Sequence, residues 1–85
     1  MARGSIETLK EVDATGTLCP MPLIRAQDFV RSIEPGDRFA LLANDPGVYQ
    51  DIPAWCRMHG HEIISTAENG HVIRMVIQSA GAGSS

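Results

Sequence analysis

The chain has 85 residues, enough for one domain with a single thin hydrophobic core. Ten acidic and seven basic residues give a formal net charge of -3, and the basic residues form no cluster, so direct binding to nucleic acid is not expected. The sequence contains no apolar run of signal-peptide or membrane-span length, and we expect a cytoplasmic protein without membrane contact. Because so small a core has no room for an enclosed active site, any reactive group is expected at the surface.

The first third of the sequence predicts a strand, a turn and a helix. Residues 6–13 are a weak strand candidate, because their apolar side chains recur at every third position instead of every second. Gly16 favours a turn after that strand. Residues 20–33 have apolar side chains at helical spacing, and the turn residues at 34–37 end this helix. Its predicted apolar stripe comprises Leu23, Ala26, Val30 and Ile33.

The middle of the chain predicts a buried strand followed by a second helix. Residues 38–43 form a continuous apolar run typical of a central strand, parallel to the first because a helix lies between them. Asp51 is expected to cap the second helix, with Pro53 in its first turn and its end near His59. Residues 48–50 are expected as a kinked lead-in, because proline deeper in a helix costs about 3 kcal/mol. The predicted inner face contains Ile52, Trp55, Cys56 and His59.

The last third predicts a β-hairpin and a tail. Residues 61–66 and 71–77 have strand character around Asn69-Gly70, a dipeptide suited to positive φ angles. Alternation along the second of these strands predicts that Ile73, Met75 and Ile77 face the helices. The small residues from Ser79 onward predict a flexible tail. These boundaries give a disordered N-terminus at 1–5, a single domain at 6–78 and a tail at 79–85.

The predicted element order is βαβαββ. It indicates an α/β fold, a two-layer α/β sandwich in which a mixed four-stranded sheet has two helices on one face. The uncovered face would present either the set Phe39, Leu41 and Ala43 or the set Ala40 and Leu42. We expect this face to be partly apolar and able to meet a partner.

Cys19 is the candidate catalytic residue. Pro20 and Pro22 follow it and suit a first helical turn, where proline loses no hydrogen bond, while Gly16 helps to shape the preceding turn. Unpaired N–H groups and the helix dipole at such a position lower the pKa of a thiol from its ordinary value of about 8.5. The alternative is that Cys19 is a small hydrophobic residue that happens to precede a helix.

Three residues near the candidate thiol form a possible docking surface. Leu18 and Met21 could make an apolar collar or belong to the core, and we expect Met21 exposed and Leu18 buried. Arg25 could steer an acidic partner or be an ordinary solvated side chain.

The remaining titratable residues favour structural roles. Cys56 lies beside Trp55 on the apolar stripe and is predicted to be a buried, inert thiol. Asp45 and Asp51 are predicted to be turn and cap residues. Cys56, His59 and His61 could suggest a metal, but one thiolate and scattered imidazoles do not reproduce a zinc ligand set. We therefore expect no metal and no cofactor.

From residue 12 to about residue 77 the chain resembles the TusA family of small sulfur carriers, also called SirA-like or YedF-like proteins. The resemblance rests on Asp13, on Gly16 and on the Cys-Pro-x-Pro motif at Cys19–Pro22. Three further segments carry it: Glu34-Pro35-Gly36-Asp37, Asn44-Asp45-Pro46 and Asp51-Ile52-Pro53-Ala54-Trp55-Cys56.

The resemblance implies a sulfurtransferase that works as a persulfide carrier. Cys19 would accept sulfane sulfur from a cysteine desulfurase or a rhodanese-like donor and pass it to a cysteine of a DsrE-like or TusD-like acceptor. The pathways implied are tRNA thiolation, molybdenum-cofactor-linked sulfur supply and sulfur oxidation. Thr17 and Met21 depart from the usual family pattern, so the pathway stays open.

Two functions from other classes remain as alternatives. A thiol redox sensor would use Cys56 to resolve an oxidised Cys19, which requires Cα atoms about 4.4 to 6.8 Å apart. A non-catalytic interaction module would bind a partner through the helix tip or the sheet face, without chemistry at sulfur.

Overall fold

The computed structural model describes residues 9–18 and 20–81. Its elements are β1 (Lys10–Asp13), α1 (Met21–Val30), β2 (Arg38–Ala43), α2 (Val48–His59), β3 (Glu62–Asn69) and β4 (Val72–Gln78). The strands form one mixed sheet in the order β1-β2-β4-β3, with β1 parallel to β2 and the other two pairs antiparallel. The predicted α/β fold, a βαβαββ sandwich, is confirmed.

The hydrophobic core lies between the two helices and one face of the sheet. Alternation along β4 directs Ile73, Met75 and Ile77 into it, as predicted. From α1, Phe29 packs against Phe39 of β2, with ring centroids 5.0 Å apart. The other core residues from β2 and the helices are Ala26, Val30, Leu41, Ala43, Val48, Ile52, Trp55 and Cys56.

The second face of the sheet carries Ala40 and Leu42, which alternate with the core residues of β2. Polar side chains cross this face from strand to strand. The guanidinium of Arg74 on β4 lies 3.8 Å from the Glu11 carboxylate on β1, and both are about half exposed. This face therefore combines apolar residues with one exposed ion pair.

The first strand and helix are shorter than predicted. β1 begins at Lys10, and the part of the predicted strand before residue 9 lies outside the described residues. α1 ends at Val30, after which Ser32 N donates to Phe29 O at 3.0 Å. This i→i+3 bond continues the chain as a tighter turn, which is common at helix ends. In the described part of the chain, neither helix has the length and apolar character needed to cross a membrane.

The second helix begins earlier than predicted. α2 starts at Val48 with Gly47 at the N-cap, so Asp51 lies within the first turn and is not the cap, and Pro53 lies inside the helix. Val48 and Ile52 are both completely buried one helical turn apart. Burying side chains of this size contributes about 1.5–3 kcal/mol each, which offsets the hydrogen bond that proline removes. Gly60 ends the helix.

The hairpin turn is shifted by one residue from its predicted position. Asn69 pairs with Val72, which extends β3 three residues beyond its predicted end and leaves Gly70-His71 as the loop. Gly70 has φ +65°, and among the described residues only glycines have positive φ. A two-residue loop with positive φ only at its first position requires glycine there and leaves Asn69 free to join the strand.

The chain after β4 packs against the domain. Ser79 is 2% exposed, its N–H donates to Asp37 O at 2.8 Å, and its carbonyl accepts from Gly36 N at 2.7 Å. Ala80 N donates to the imidazole of His61 at 2.9 Å. The packed part of the chain thus reaches Gly81, three residues beyond the boundary predicted from sequence, while residues 1–5 lie outside the described residues.

Candidate functional site

The loop between β1 and α1, residues 13–18, is built from short-range hydrogen bonds. The Asp13 carboxylate accepts bonds from Thr15 N at 3.0 Å and Thr15 Oγ1 at 2.6 Å. The carbonyl of Ala14 accepts bonds from Thr17 N at 3.3 Å and Thr17 Oγ1 at 2.7 Å. Ala14 is completely buried, and its N–H donates to Leu42 O at 2.8 Å. The base of the loop is therefore fixed to the sheet.

The side chain of Asn44, directly after β2, connects this loop to the hairpin between β3 and β4. Gly16 has φ +81°, which a residue with a side chain rarely adopts, and its N–H donates to Asn44 Oδ1 at 2.8 Å. Asn44 Nδ2 in turn donates to His71 O at 2.8 Å. In the sequence, Asn44 stood out only as part of the Asn44-Asp45-Pro46 segment. Its position at the carboxyl end of a strand parallel to β1 was the signal that the two loops meet.

The start of α1 is set by the two prolines. Pro20 is the N-cap, with φ −93° and ψ 15°, and Pro22 is the second helical residue and is buried. Met21 N donates to Leu18 O at 2.8 Å, and Ile24 N donates to Pro20 O at 2.9 Å. A proline in the first turn removes no intrahelical bond. Cys19 itself lies outside the described residues; in the sequence it directly precedes the N-cap.

The electrostatic surroundings of this helix end combine a carboxylate, a guanidinium and the helix dipole. The first turn of α1 contains no acidic residue. Hydrogen bonds from Thr15, together with a weaker attraction from the Arg25 guanidinium, hold the pKa of the Asp13 carboxyl below its usual value. Arg25 is exposed one turn into the helix. Pro20 and Pro22 have no N–H, and Met21 N donates to Leu18 O, so the helix dipole is the main backbone source of positive potential there.

Apolar side chains are exposed around the helix start. Leu18 is 75% exposed, and Met21 and Ile24 are each 39% exposed. The exposure of Met21 agrees with the prediction, and the prediction that Leu18 is buried is wrong. Leu18 lies four residues before Pro22 and would continue the buried stripe of α1 only if the helix included it. Because α1 starts at Met21, Leu18 lies in the preceding loop and its side chain is exposed. Ile24 was not singled out from the sequence.

The second cysteine has the character of a core residue. Cys56 is 3% exposed on the inner face of α2, beside Trp55. Burial raises the pKa of the Cys56 thiol to about 11. A thiol in this state is almost entirely protonated at neutral pH and is a poor nucleophile.

The histidines near Cys56 do not assemble into a metal site. The rings of His59 and His61 have centroids 6.1 Å apart, and His61 Nδ1 already accepts a hydrogen bond from Ala80 N. Among the residues that the structure describes, no three His, Cys, Asp or Glu side chains are grouped so that they could hold a metal ion.

Two comparisons with known proteins bear on this arrangement. A family model described as sulfurtransferase TusA matches residues 10–79, which include Cys19 and the whole sheet. The crystal structure of a SirA-like protein from Desulfitobacterium hafniense matches with a TM-score of 0.74 and 23% identity. That match covers 85% of this chain and 99% of the other. At this identity the structural match establishes a shared fold, and the family match covers most of the chain.

Proposed function

We propose a persulfide-relay function for this chain, which belongs to the TusA sulfurtransferase family. The single observation that carries the proposal is the family match over residues 10–79, because it includes the Cys-Pro-x-Pro motif at Cys19–Pro22. Membership places the chain among sulfur carriers. The carrier residue, the relay steps and the partners are our proposals.

In the proposed first step, the Cys19 thiolate attacks the outer sulfur of a persulfide on the donor protein. A new S–S bond forms between Cys19 and the transferred sulfur, and the donor's S–S bond breaks. The donor cysteine leaves as a thiolate. It takes up one proton, which balances the proton that Cys19 lost when its thiol ionised. The second step repeats this exchange, with an acceptor cysteine as nucleophile and Cys19 as leaving group. Neither step needs an external oxidant or reductant, because one sulfane sulfur moves between thiols.

The geometry around the motif supports a reactive thiol at this position. The helix dipole makes the start of α1 electropositive, and the first turn of α1 contains no acidic side chain to offset this. Both Cys19 in its thiolate form and the persulfide product would be anions in that field. Pro20 and Pro22 restrict the backbone on the carboxyl side of Cys19, and the Gly16 turn restricts it on the amino side.

The proposed docking surface consists of Leu18, Met21, Ile24 and Arg25. Leu18 is the most exposed of its apolar residues, at 75%, and such a side chain is suited to a pocket on a partner. Arg25 supplies one positive charge beside this apolar group. We propose that a cysteine desulfurase or rhodanese-like donor and a DsrE-like or TusD-like acceptor use the same surface in turn, because both must reach one sulfur.

We place the relay in the cytoplasm, where reducing conditions keep thiols free, and in either tRNA thiolation or sulfur oxidation. The redox-sensor alternative is disfavoured by Cys56, because burial and its raised pKa make it a poor resolving thiol. The interaction-module alternative predicts that Cys19→Ser keeps full activity in a cell-based sulfur-transfer assay, whereas the relay predicts loss of that activity.

Intact-protein mass spectrometry tests the carrier residue directly. Wild type, Cys19→Ser and Cys56→Ser would each be incubated with a cysteine desulfurase and L-cysteine, and separately with a rhodanese and thiosulfate. We expect wild type and Cys56→Ser to gain the mass of one sulfur atom, reversibly with dithiothreitol, and Cys19→Ser to gain none. A gain that follows Cys56, or no gain with either donor, would overturn the proposal.

A further inference from the structure

We infer that Asn44 is a positioning residue for the carrier loop, meaning residues 13–18, and that it acts through the backbone of Gly16. The inference rests on the proposed function, since it concerns the reactivity of Cys19. Asn44 lies on a different element from Cys19 and is separated from Gly16 by 28 positions in sequence.

The contacts of Asn44 use both ends of its amide. Oδ1 accepts the Gly16 N–H at 2.8 Å, and Nδ2 donates to His71 O at 2.8 Å. An amide can accept with one end and donate with the other at the same time while staying uncharged. One side chain therefore links three segments: the carrier loop, the end of β2 and the β3–β4 hairpin.

The Gly16 contact adds a long-range restraint to a loop whose other side-chain hydrogen bonds are short-range. The base of the loop is fixed, because Ala14 is buried and bonded to Leu42 O at 2.8 Å. Gly16 is exposed, and glycine in the left-handed region can move to many other conformations. The bond to Asn44 Oδ1 is the long-range bond that selects one of them. Cys19 follows only three positions later in the sequence.

Loss of this bond is expected to loosen the approach to the helix start. Cys19 directly precedes the N-cap Pro20 in the sequence, so we expect the carrier loop to influence where its thiolate lies relative to the positive end of the α1 dipole. A looser loop would lose part of the stabilisation that this dipole gives a thiolate. The reactivity of the thiol then shifts toward that of an ordinary cysteine.

Alkylation by iodoacetamide, followed across pH with peptide mapping to separate Cys19 from Cys56, measures this effect without any sulfur donor. For Asn44→Ala we expect the midpoint of the Cys19 profile to move to higher pH and the rate at pH 7 to fall by about threefold or more. Asn69→Ala removes an exposed asparagine from the hairpin and is the matched control.

Two results would overturn the inference: a folded Asn44→Ala protein with a wild-type profile, or an equal shift in Asn69→Ala. If Asn44→Ala does not fold, hydrogen exchange of the Gly16 amide in wild type tests the inference instead. Exchange slowed at least about tenfold relative to an unstructured peptide supports the bond, and unprotected exchange contradicts it. The sulfur-loading experiment is independent of these results, so the proposed function and the role of Asn44 can fail separately.

Discussion

The imidazole of His61 accepts a hydrogen bond at Nδ1 from the backbone N–H of Ala80, over 2.9 Å. The residue is 8% exposed, and its ring lies against Trp55 with centroids 4.6 Å apart. An imidazole that accepts at Nδ1 holds its proton at Nε2, and a second proton could bind only at Nδ1. Protonation of His61 would therefore break the bond that fixes the chain after β4.

The His61 contact predicts an acid-sensitive stability. Burial, and secondly the nearby His59, lower the pKa of His61 below its ordinary value of 6.5. The unfolded chain then binds more protons than the folded chain just below pH 6.5, so this contribution is fully present above that pH and is lost as the pH falls. Urea unfolding of wild type between pH 5 and 8 measures the slope.

The control for this prediction is His61→Gln, which does not titrate in this range. We expect its free energy of unfolding to be lower than that of wild type at pH 7.5 and to vary less between pH 5 and pH 7. Arg31 and His59 line the same surface cavity and are unchanged in the variant. Equal pH slopes in the two proteins would show that His61 is not responsible.

The burial of Cys56 predicts low reactivity and a modest structural role. With the pKa of its thiol at about 11, only about one Cys56 in a thousand is ionised at pH 8. Peptide mapping after brief iodoacetamide treatment should find Cys19 labelled and Cys56 unlabelled. Cys56→Ala should lower the free energy of unfolding by about 1–2 kcal/mol, because it leaves a small cavity, while sulfur loading is kept. Labelling of Cys56 at a rate similar to Cys19 would contradict this prediction and revive the redox-sensor function.

The exposed apolar residues at the start of α1 predict a partner-specific defect. Leu18→Gln should reduce the rate of sulfur transfer from a cysteine desulfurase by about tenfold or more, because a polar amide replaces an apolar anchor that is buried on binding. The free energy of unfolding and iodoacetamide labelling of Cys19 should change little, since Leu18 is 75% exposed and the substitution adds no charge. Met58→Gln, at a residue 79% exposed on α2, is the control and should transfer sulfur normally. Equal defects in the two variants would argue against a docking surface at Leu18.

Local patterns were sufficient for the parts of this fold that depend on local chemistry. The continuous apolar run bounded by turn residues predicted β2 with its observed ends, because a strand covered on both faces needs apolar residues throughout. Pro20 and Pro22 marked the start of α1 because proline fits few positions elsewhere in a helix. The position of Cys56 beside Trp55 on the apolar stripe of α2 predicted that its thiol is buried.

The features that the sequence analysis missed depend on contacts between distant residues. Asn44 reaches Gly16 and His71; the parallel order of β1 and β2 brings the loops of Asn44 and Gly16 together, but nothing in the sequence predicts which atoms bond or the contact with His71. The packing of Ser79 and Ala80 depends on Asp37 and His61, so a run of small residues resembled a tail. For these residues, tertiary contacts outweigh the conformation that the local sequence favours.

Pro53 shows the same conflict within a helix and gives the last prediction. It is the sixth residue of α2, where an N–H would normally donate to the carbonyl of Tyr49, four positions earlier. Pro53→Ala restores that donor and removes the ring from the helical turn, but it also gives the unfolded chain roughly 0.4–1 kcal/mol of extra conformational freedom. We expect a net rise of about 1 kcal/mol in the free energy of unfolding, measured in urea. Ala54→Pro, the reverse change at the next position, should lower it by about 3 kcal/mol or more. If Pro53→Ala instead destabilises the protein, packing of the half-buried proline ring outweighs the missing hydrogen bond, and the early start of α2 depends on Pro53 as well as on Val48.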